Sequence, residues 1–294
     1  MSWASLATRP DFLPAFDAWA KLPQGVVAVT GARGTLGRLL TRRLGEAGVG
    51  YSEFEGDIRE QSEVQRWIAA TRPSLVIHLA AVVPTGAVSA NPAHAMQVNA
   101  AATVGLVDAI SRLPDPAWLF HASSSHVYAP VAVGNGPLLR LREDSPLSPG
   151  TYYGATKLAA EKIVEPLSRQ LSVPACIGRV FSFFHESQPE SYLVPGLFAR
   201  ARAPEASSGF PVHDADAVRD FLYADWVIDA ILHLAAMRVR TTVNIASGDG
   251  TTVGEMARRV LDHAGSALTI EPRPAENPGA LVADVGRLRQ AIGR

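Results

Sequence analysis

Along the first two thirds of the chain, short runs of apolar residues alternate with stretches in which apolar positions recur every three or four residues. The runs predict buried strands at 26–30, 49–54, 75–80, 118–122 and 175–180. The stretches between them predict helices at 35–47, 62–71, 93–111 and 152–170. Strands and helices in strict alternation form an α/β fold, a doubly wound parallel sheet with right-handed crossovers. Beyond Val180 the pattern loosens, and Pro189, Pro195, Pro204 and Pro211 interrupt it. Residues 181–218 and 247–294 are therefore expected to form a smaller lobe. Residues 219–246, with strands at 221–223 and 242–245, are expected to return to the main body of residues 25–180. Ahead of the first strand, residues 1–24 carry Trp3, Phe12, Phe16 and Trp19 and predict a short helical extension packed on that body.

Composition narrows the class. Of 294 residues, 47% are hydrophobic and 19% charged, enough to bury a sizeable core. A formal net charge of -1 carries no electrostatic footprint for nucleic acid or a membrane surface. The single cysteine, Cys176, lies in an apolar run and is read as core. No apolar stretch approaches transmembrane length, and residues 1–24 lack the basic start and continuous apolar run of a signal peptide. A cytoplasmic enzyme is the expectation.

Two motifs carry chemistry. Gly31, Gly34 and Gly37 follow the first strand with the spacing Gly-x-x-Gly-x-x-Gly and open the first helix. Such a turn lets bare backbone approach a pyrophosphate while the helix N-terminus faces its negative charge. A dinucleotide in a Rossmann fold is the implied ligand. An acid at the end of the second strand, Glu53 or Glu55, suits NAD, whereas Arg33 and Arg38 beside the glycine turn suit the 2′-phosphate of NADP. We take NADP as the expected cofactor, with NAD as the alternative. Far downstream, Tyr153 and Lys157 stand four apart, on one face of a predicted helix. A tyrosine titrates near about 10, and bringing it to neutrality takes roughly 4 kcal/mol of differential stabilisation. A lysine ammonium one turn away and a cationic nicotinamide both act in that direction. Tyr153 would then exchange a proton with a substrate oxygen while hydride moves, and Lys157 would also hold the nicotinamide ribose. The third group should be a hydroxyl that polarises this oxygen, and Ser123, Ser124 and Ser125 follow the fourth strand at its carboxyl end, where doubly wound sheets bind ligands. Their other reading is a turn whose hydroxyls cap the next segment.

From Val26 to Ile292 the chain resembles the extended short-chain dehydrogenase/reductase superfamily, in its NAD-dependent epimerase/dehydratase branch. The matching segments include Thr30-Gly31 to Gly37, Gly56-Asp57-Ile58-Arg59, His78-Leu79-Ala80-Ala81 and Val98-Asn99. Ser123-Ser124-Ser125-His126-Val127-Tyr128, Tyr153 to Lys157, Val218-Arg219-Asp220-Phe221 and Asn244-Ile245-Ala246-Ser247-Gly248 continue the series. The resemblance implies Ser124, Tyr153 and Lys157 as the catalytic trio, Ser124 because it stands four before Tyr128. It implies Gly31, Arg33, Gly34, Thr35, Leu36, Gly37, Asp57, Ile58, Leu79, Ala80, Ala81 and Asn99 beside the cofactor, with Asp57 and Ile58 bordering the adenine. Ser125, His126 and Arg219 would contact substrate, Arg219 as a bidentate partner for a diphosphate. An ion pair of Arg219 with Asp220 or Asp225 is the alternative. For His126 the choice lies between a proton relay and a hydrogen-bonded structural imidazole. No metal is implied.

Departures from the family pattern narrow the reaction. Dehydratases place Asp-Glu after the catalytic hydroxyl, where this chain has Ser125-His126. The Arg-x-x-Asn segment of epimerases reads Arg179-Val180-Phe181-Ser182 here. The compact chain resembles reductases of 4-keto-6-deoxy nucleotide sugars, and a homodimer through the helices at 93–111 and 152–170 is implied. The expectation is an NAD(P)-dependent sugar ketoreductase acting on a nucleotide sugar. Its rivals are a 4-epimerase with tightly held NAD, a dehydrogenase of an unactivated sugar or sugar acid, and a non-catalytic dinucleotide sensor.

Overall fold

The computed structural model describes residues 2–83, 85–133, 138–202, 209–276 and 278–294. Its strands in chain order are β1 (Val27–Thr30), β2 (Tyr51–Glu53), β3 (Leu75–His78), β4 (Trp118–Ser124), β5 (Val131–Ala132), β6 (Ala175–Val180) and β7 (Ser182–Phe184). They continue with β8 (Gly209–His213), β9 (Val218–Tyr223), β10 (Thr242–Ile245), β11 (Gly250–Thr252), β12 (Thr269–Arg273) and β13 (Gly279–Leu281). The helices are α1 (Thr35–Glu46), α2 (Gln61–Thr71), α3 (Thr85–Ala90), α4 (Pro92–Met96), α5 (Ala102–Ser111) and α6 (Tyr152–Gln170). After them come α7 (Leu193–Ala201), α8 (Ala224–Ala236), α9 (Val253–Ala264) and α10 (Gly286–Ala291).

Six strands form one parallel sheet in the order β10-β6-β4-β3-β1-β2. β1 and β3 are buried at every position, as strands covered by helices on both faces must be. The chain leaves β1 towards β2 on one side and then crosses to β3 on the other. The strand order therefore reverses at β1, and a crevice opens outside the carboxyl ends of β1 and β3. Gly31 makes that crevice. Its φ is +73°, and a Cβ there would lie 2.6 Å from the backbone nitrogen of Ala80, so only glycine lets the two loops touch.

Several predicted elements differ from what forms. The helix expected at 93–111 is broken into α4, a π turn over Gln97–Ala101, and α5. At that turn Asn99 faces inward and exchanges hydrogen bonds with the backbone of Val82, donating also to Thr156 at 3.0 Å. Of the two returning segments, 242–245 joins the main sheet beside β6, but 221–223 does not. β10 already occupies that edge of β6, and β9 instead pairs with β7, β11 and β13 in a second sheet. Pro204 lies outside the described residues. The extension over residues 2–24 packs on the body without forming a helix. Pro10, Pro14 and Pro23 leave only two 3₁₀ turns, Trp3–Leu6 and Trp19–Lys21.

The extension is fastened at one buried carboxylate. Asp229 on α8 accepts from Arg9 at 2.5 Å and from the Phe16 backbone at 2.8 Å, and forms an ion pair with Arg43 of α1 at 2.8 Å. Trp3, Leu6, Phe12, Leu13 and Phe16 are buried around it. Removing the carboxylate leaves two guanidinium groups without their partner, at a cost of about 3 kcal/mol. Asp229→Ala should lower the unfolding free energy by that amount in urea titration. A loss below about 0.5 kcal/mol would show that the cluster is held by apolar packing alone.

Candidate active site

The carboxyl end of β4 and the start of α6 are pressed together. Thr151 caps α6 by accepting the Gly154 amide at 3.1 Å, which places Tyr153 in the first turn and Lys157 one turn further. A Cβ on Gly154 would stand 2.2 Å from the carbonyl oxygen of His126. The glycine thus brings the helix start within contact of the turn that follows Ser124. That turn, Ser125–Val127, is capped by Ser124, whose hydroxyl accepts the His126 amide at 3.2 Å. Ser124 also lies beside the Tyr153 phenol and favours its ionised form. The capping reading of the serine run is thus realised at Ser124. Ser123 points the other way and donates to Glu161 of α6, which in turn forms a buried ion pair with Arg179 of β6 at 2.7 Å.

One cavity of about 630 Å³ collects most of the residues singled out from sequence. Gly31, Gly34, Thr35, Leu36 and Gly37 line it from β1–α1, and Leu79, Ala80 and Ala81 from the end of β3. Ser124, Ser125, His126, Tyr153, Lys157 and Arg219 complete that set. Arg33, Asp57, Ile58 and Asn99 are not on its wall. Arg33 is exposed, as is Glu53 at the end of β2, and neither forms an ion pair among the described residues. Asp57 is occupied by Arg59, whose hydrogen bonds hold its carboxyl down to about 2. Ile58 is core, and Asn99 serves the π turn.

Residues that fit a dinucleotide are in place. The N-terminus of α1 has no side-chain cap, and its first residues face the cavity, so its amides are available to an anion. A Cβ on Gly34 would meet only the Gly31 carbonyl, at 3.3 Å, leaving bare backbone along the crevice. Lys157 is buried and makes no hydrogen bond among the described residues, as suits a donor reserved for a ribose diol.

Electrostatics in the cavity are ruled by burial. Burial pushes the Tyr153 phenol up to about 12, against the neighbouring Ser124 hydroxyl. It drives Lys157 down to about 8, against the nearby Glu161 carboxylate. The expectation that Lys157 lowers the phenol meets a stronger desolvation effect here, and the resting group is a phenol ready to donate. His126 faces Tyr153 edge-on, with ring centroids 5.7 Å apart, and burial followed by the charge of Arg219 keeps it neutral at pH 7. Arg219 itself donates to the carbonyls of Val218 and Gly279 and meets no carboxylate within ion-pair distance among the described residues. Its proposed partners are engaged elsewhere. Asp220 accepts from Ser247 and Gly248, and Asp225 faces Arg42 and His185.

Sequence reasoning missed the wall opposite the trio, where Phe183, Gln188, Tyr192, His213 and Asp214 stand. The aromatic run Phe181–Phe184 directly after a sheet strand was the available signal, because ligands lie at carboxyl ends.

The model of the NAD dependent epimerase/dehydratase family matches residues 27–246. The chain belongs to this family. It is an NAD(P)-dependent enzyme of the extended short-chain dehydrogenase/reductase type. UDP-glucose 4-epimerase of Streptomyces lividans is 29% identical over 311 aligned residues, covering 92% of this chain and 91% of that protein. dTDP-6-deoxy-L-talose 4-dehydrogenase (NAD(P)(+)) of Kitasatospora kifunensis is 25% identical over 269 residues, covering 85% and 82%. Among solved structures, RMD from Pseudomonas aeruginosa complexed with NADPH superposes with a TM-score of 0.80 at 25% identity, over 92% of this chain and 93% of that one. Among the described residues no helix is long and apolar enough to cross a membrane, and no group of side chains has the make-up of a metal site.

Next to Lys157, Thr30, His78 and His121 lie in register across β1, β3 and β4. His78 shares a 2.7 Å hydrogen bond with Thr30, and the remaining ring nitrogens of the pair have no protein partner. Burial, then the charge of Lys157, lowers His78 to about 3 and His121 in the same direction. Both folded values lie below the unfolded 6.5, so this stability is fully present above pH 6.5 and is lost as pH falls. Keeping His78 neutral should cost about 2 kcal/mol between pH 6.5 and 5, and His121 acts in the same direction. Urea unfolding across that range should show His121→Phe losing less than the parent. Equal losses would mean the pair is not neutral in the fold.

Proposed function

We propose that the protein reduces the ketone of a nucleotide-activated sugar, a 4-keto-6-deoxy hexose, using NADPH. The observation that carries this reading is the convergence of Ser124, Tyr153 and Lys157 with an unpaired Arg219 on one cavity. A half-buried guanidinium without a carboxylate partner calls for an anion from the ligand, and a diphosphate supplies one. This favours a nucleotide sugar over an unactivated sugar. An intact trio has no use in a sensor.

A nicotinamide dinucleotide held along the glycine turn and Lys157 supplies the hydride. Ser124 donates a hydrogen bond to the carbonyl oxygen and draws electron density towards it. As the carbonyl carbon is reduced, Tyr153 passes its phenolic proton to that oxygen, leaving a carbinol and a phenolate. Lys157, one turn away, stabilises the phenolate until it is reprotonated. Ser125 and His126 contact the sugar beside the reacting carbon. His126 is neutral and Ser125 does not ionise, so they cannot replace the carboxylate pair that water elimination requires. The exposed Arg33, within the glycine turn after β1, supports NADPH over NADH. A homodimer through α5 and α6 belongs to the same reading, since Val104 and Tyr152 remain exposed on those helices.

Tyr153→Phe should cut turnover by about 10³-fold and leave cofactor affinity within about threefold. An active variant would remove Tyr153 from the mechanism. Arg219→Ala should raise KM for the nucleotide sugar about 30-fold with a smaller change in kcat, and an unchanged KM would detach Arg219 from the diphosphate. Denaturing the purified protein and identifying any released dinucleotide separates the reductase from a 4-epimerase. One NAD per chain supports the epimerase, and exchangeable NADPH supports the reductase.

A further inference from the structure

Part of the cavity wall is a loop that follows β7, with little regular structure of its own. Gln188 and Tyr192, both on the cavity, lie in it, while His185, Glu186 and Ser187 form its outer side. Within the loop, Gln188 accepts the His185 amide at 2.9 Å, and His185 accepts the Ser187 amide at 3.0 Å. Its attachment to the body is made elsewhere. Glu186 accepts the Trp3 amide at 2.5 Å through one carboxylate oxygen and the Tyr223 hydroxyl at 2.8 Å through the other. Ser2 donates to the same Tyr223 oxygen at 3.3 Å, and Trp3 stacks on Phe198 of α7 at a centroid distance of 3.9 Å. On its far side the loop carbonyl of Ser187 accepts from Arg38 of α1 at 3.4 Å.

We propose that the tip of the N-terminal extension is a clasp that orders the substrate wall, with Glu186 as the positioning residue through which it acts. The carboxylate is the point where three segments remote in sequence meet. Residues 2–3 bring a backbone donor, β9 brings the Tyr223 hydroxyl, and the loop brings the acceptor for both. A carboxylate suits this place because its two oxygens serve two donors at once. Behind the clasp, Asp229 holds the extension to α8 and α1, so the tip is tethered to the same helix whose N-terminus faces the cavity. The wall that closes on the substrate and the helix that opens on the cofactor are thereby set against one frame. Its consequence for ligand affinity rests on the functional reading above. Its consequence for loop order does not.

Two measurements on the full-length chain, a variant lacking residues 2–7, Glu186→Ala and their combination decide it. Hydrogen exchange should show amides of 186–192 losing protection about tenfold or more in each variant, with no further loss in the combination, while 35–46 and 224–236 keep theirs. Calorimetry with UDP, dTDP and GDP should show the best-bound of the three weakened about tenfold, with NADPH affinity unchanged. Glu186→Gln, which retains an acceptor for the Trp3 amide, should recover part of both losses. Unchanged protection at 186–192 overturns the proposal, as does a combined variant whose loss equals the sum of the two. Protection lost equally over the whole chain overturns it too, since that is a defect of folding. If the parent binds none of the three nucleotides, the substrate reading fails and the exchange data still decide the clasp.

Discussion

The ion pair between Arg179 and Glu161 is the contact on which the site depends. Both side chains are almost fully buried, and two charges are taken from water only when every donor and acceptor finds a partner. Here they do. Arg179 donates to both carboxylate oxygens, to the Tyr128 hydroxyl at 2.8 Å and to the Glu143 carbonyl at 2.9 Å. Tyr128 donates onward to Asn244 at 2.7 Å, and Ser123 donates to Glu161. The network joins β4, β6, β10 and α6. Since Ser123 precedes Ser124 and Glu161 lies one turn beyond Lys157, it sets the strand that bears the hydroxyl against the helix that bears the phenol and the ammonium.

That arrangement explains how far the chain could be read beforehand. The β1–α1 glycine turn and the pair Tyr153 and Lys157 were legible because their chemistry is local. A strand, a turn and a helix follow one another, and four residues make one turn. The parallel sheet was legible because strands buried on both faces read as continuous apolar runs. What escaped depends on partners far along the chain. Asn99 breaks a helix by reaching Val82 and Thr156. β9 has the apolar composition of a main-sheet strand, but its place was decided by which edge β10 had already taken. Asp57 looked available to a cofactor until Arg59 was seen to occupy it. Arg219 posed the reverse problem, for its two acidic neighbours in sequence turned out to be engaged with other groups. The wall carrying Gln188 and Tyr192 has no periodicity to betray it, since it is a loop held from outside.

Low polarity shapes what the cavity does at rest. Desolvation acts on Tyr153, Lys157, His126 and the neighbouring His78 and His121 in the same sense, disfavouring the charged form. It leaves Tyr153 protonated, weakens the hold of Lys157 on its proton, and keeps His78, His121 and His126 neutral. Arg219 retains its charge because a guanidinium holds its proton far above neutrality.

The fastening of residues 2–16 at Asp229 also sets an order of events during synthesis. These residues are made before α8, and their anchor lies more than two hundred positions later, so the contact closes a very long loop. Until the later helices have been made, Trp3, Leu6, Phe12 and Phe16 lack part of the surface that buries them, and a nascent chain of that kind is open to association with its neighbours. Docking of the extension therefore follows the synthesis of α8.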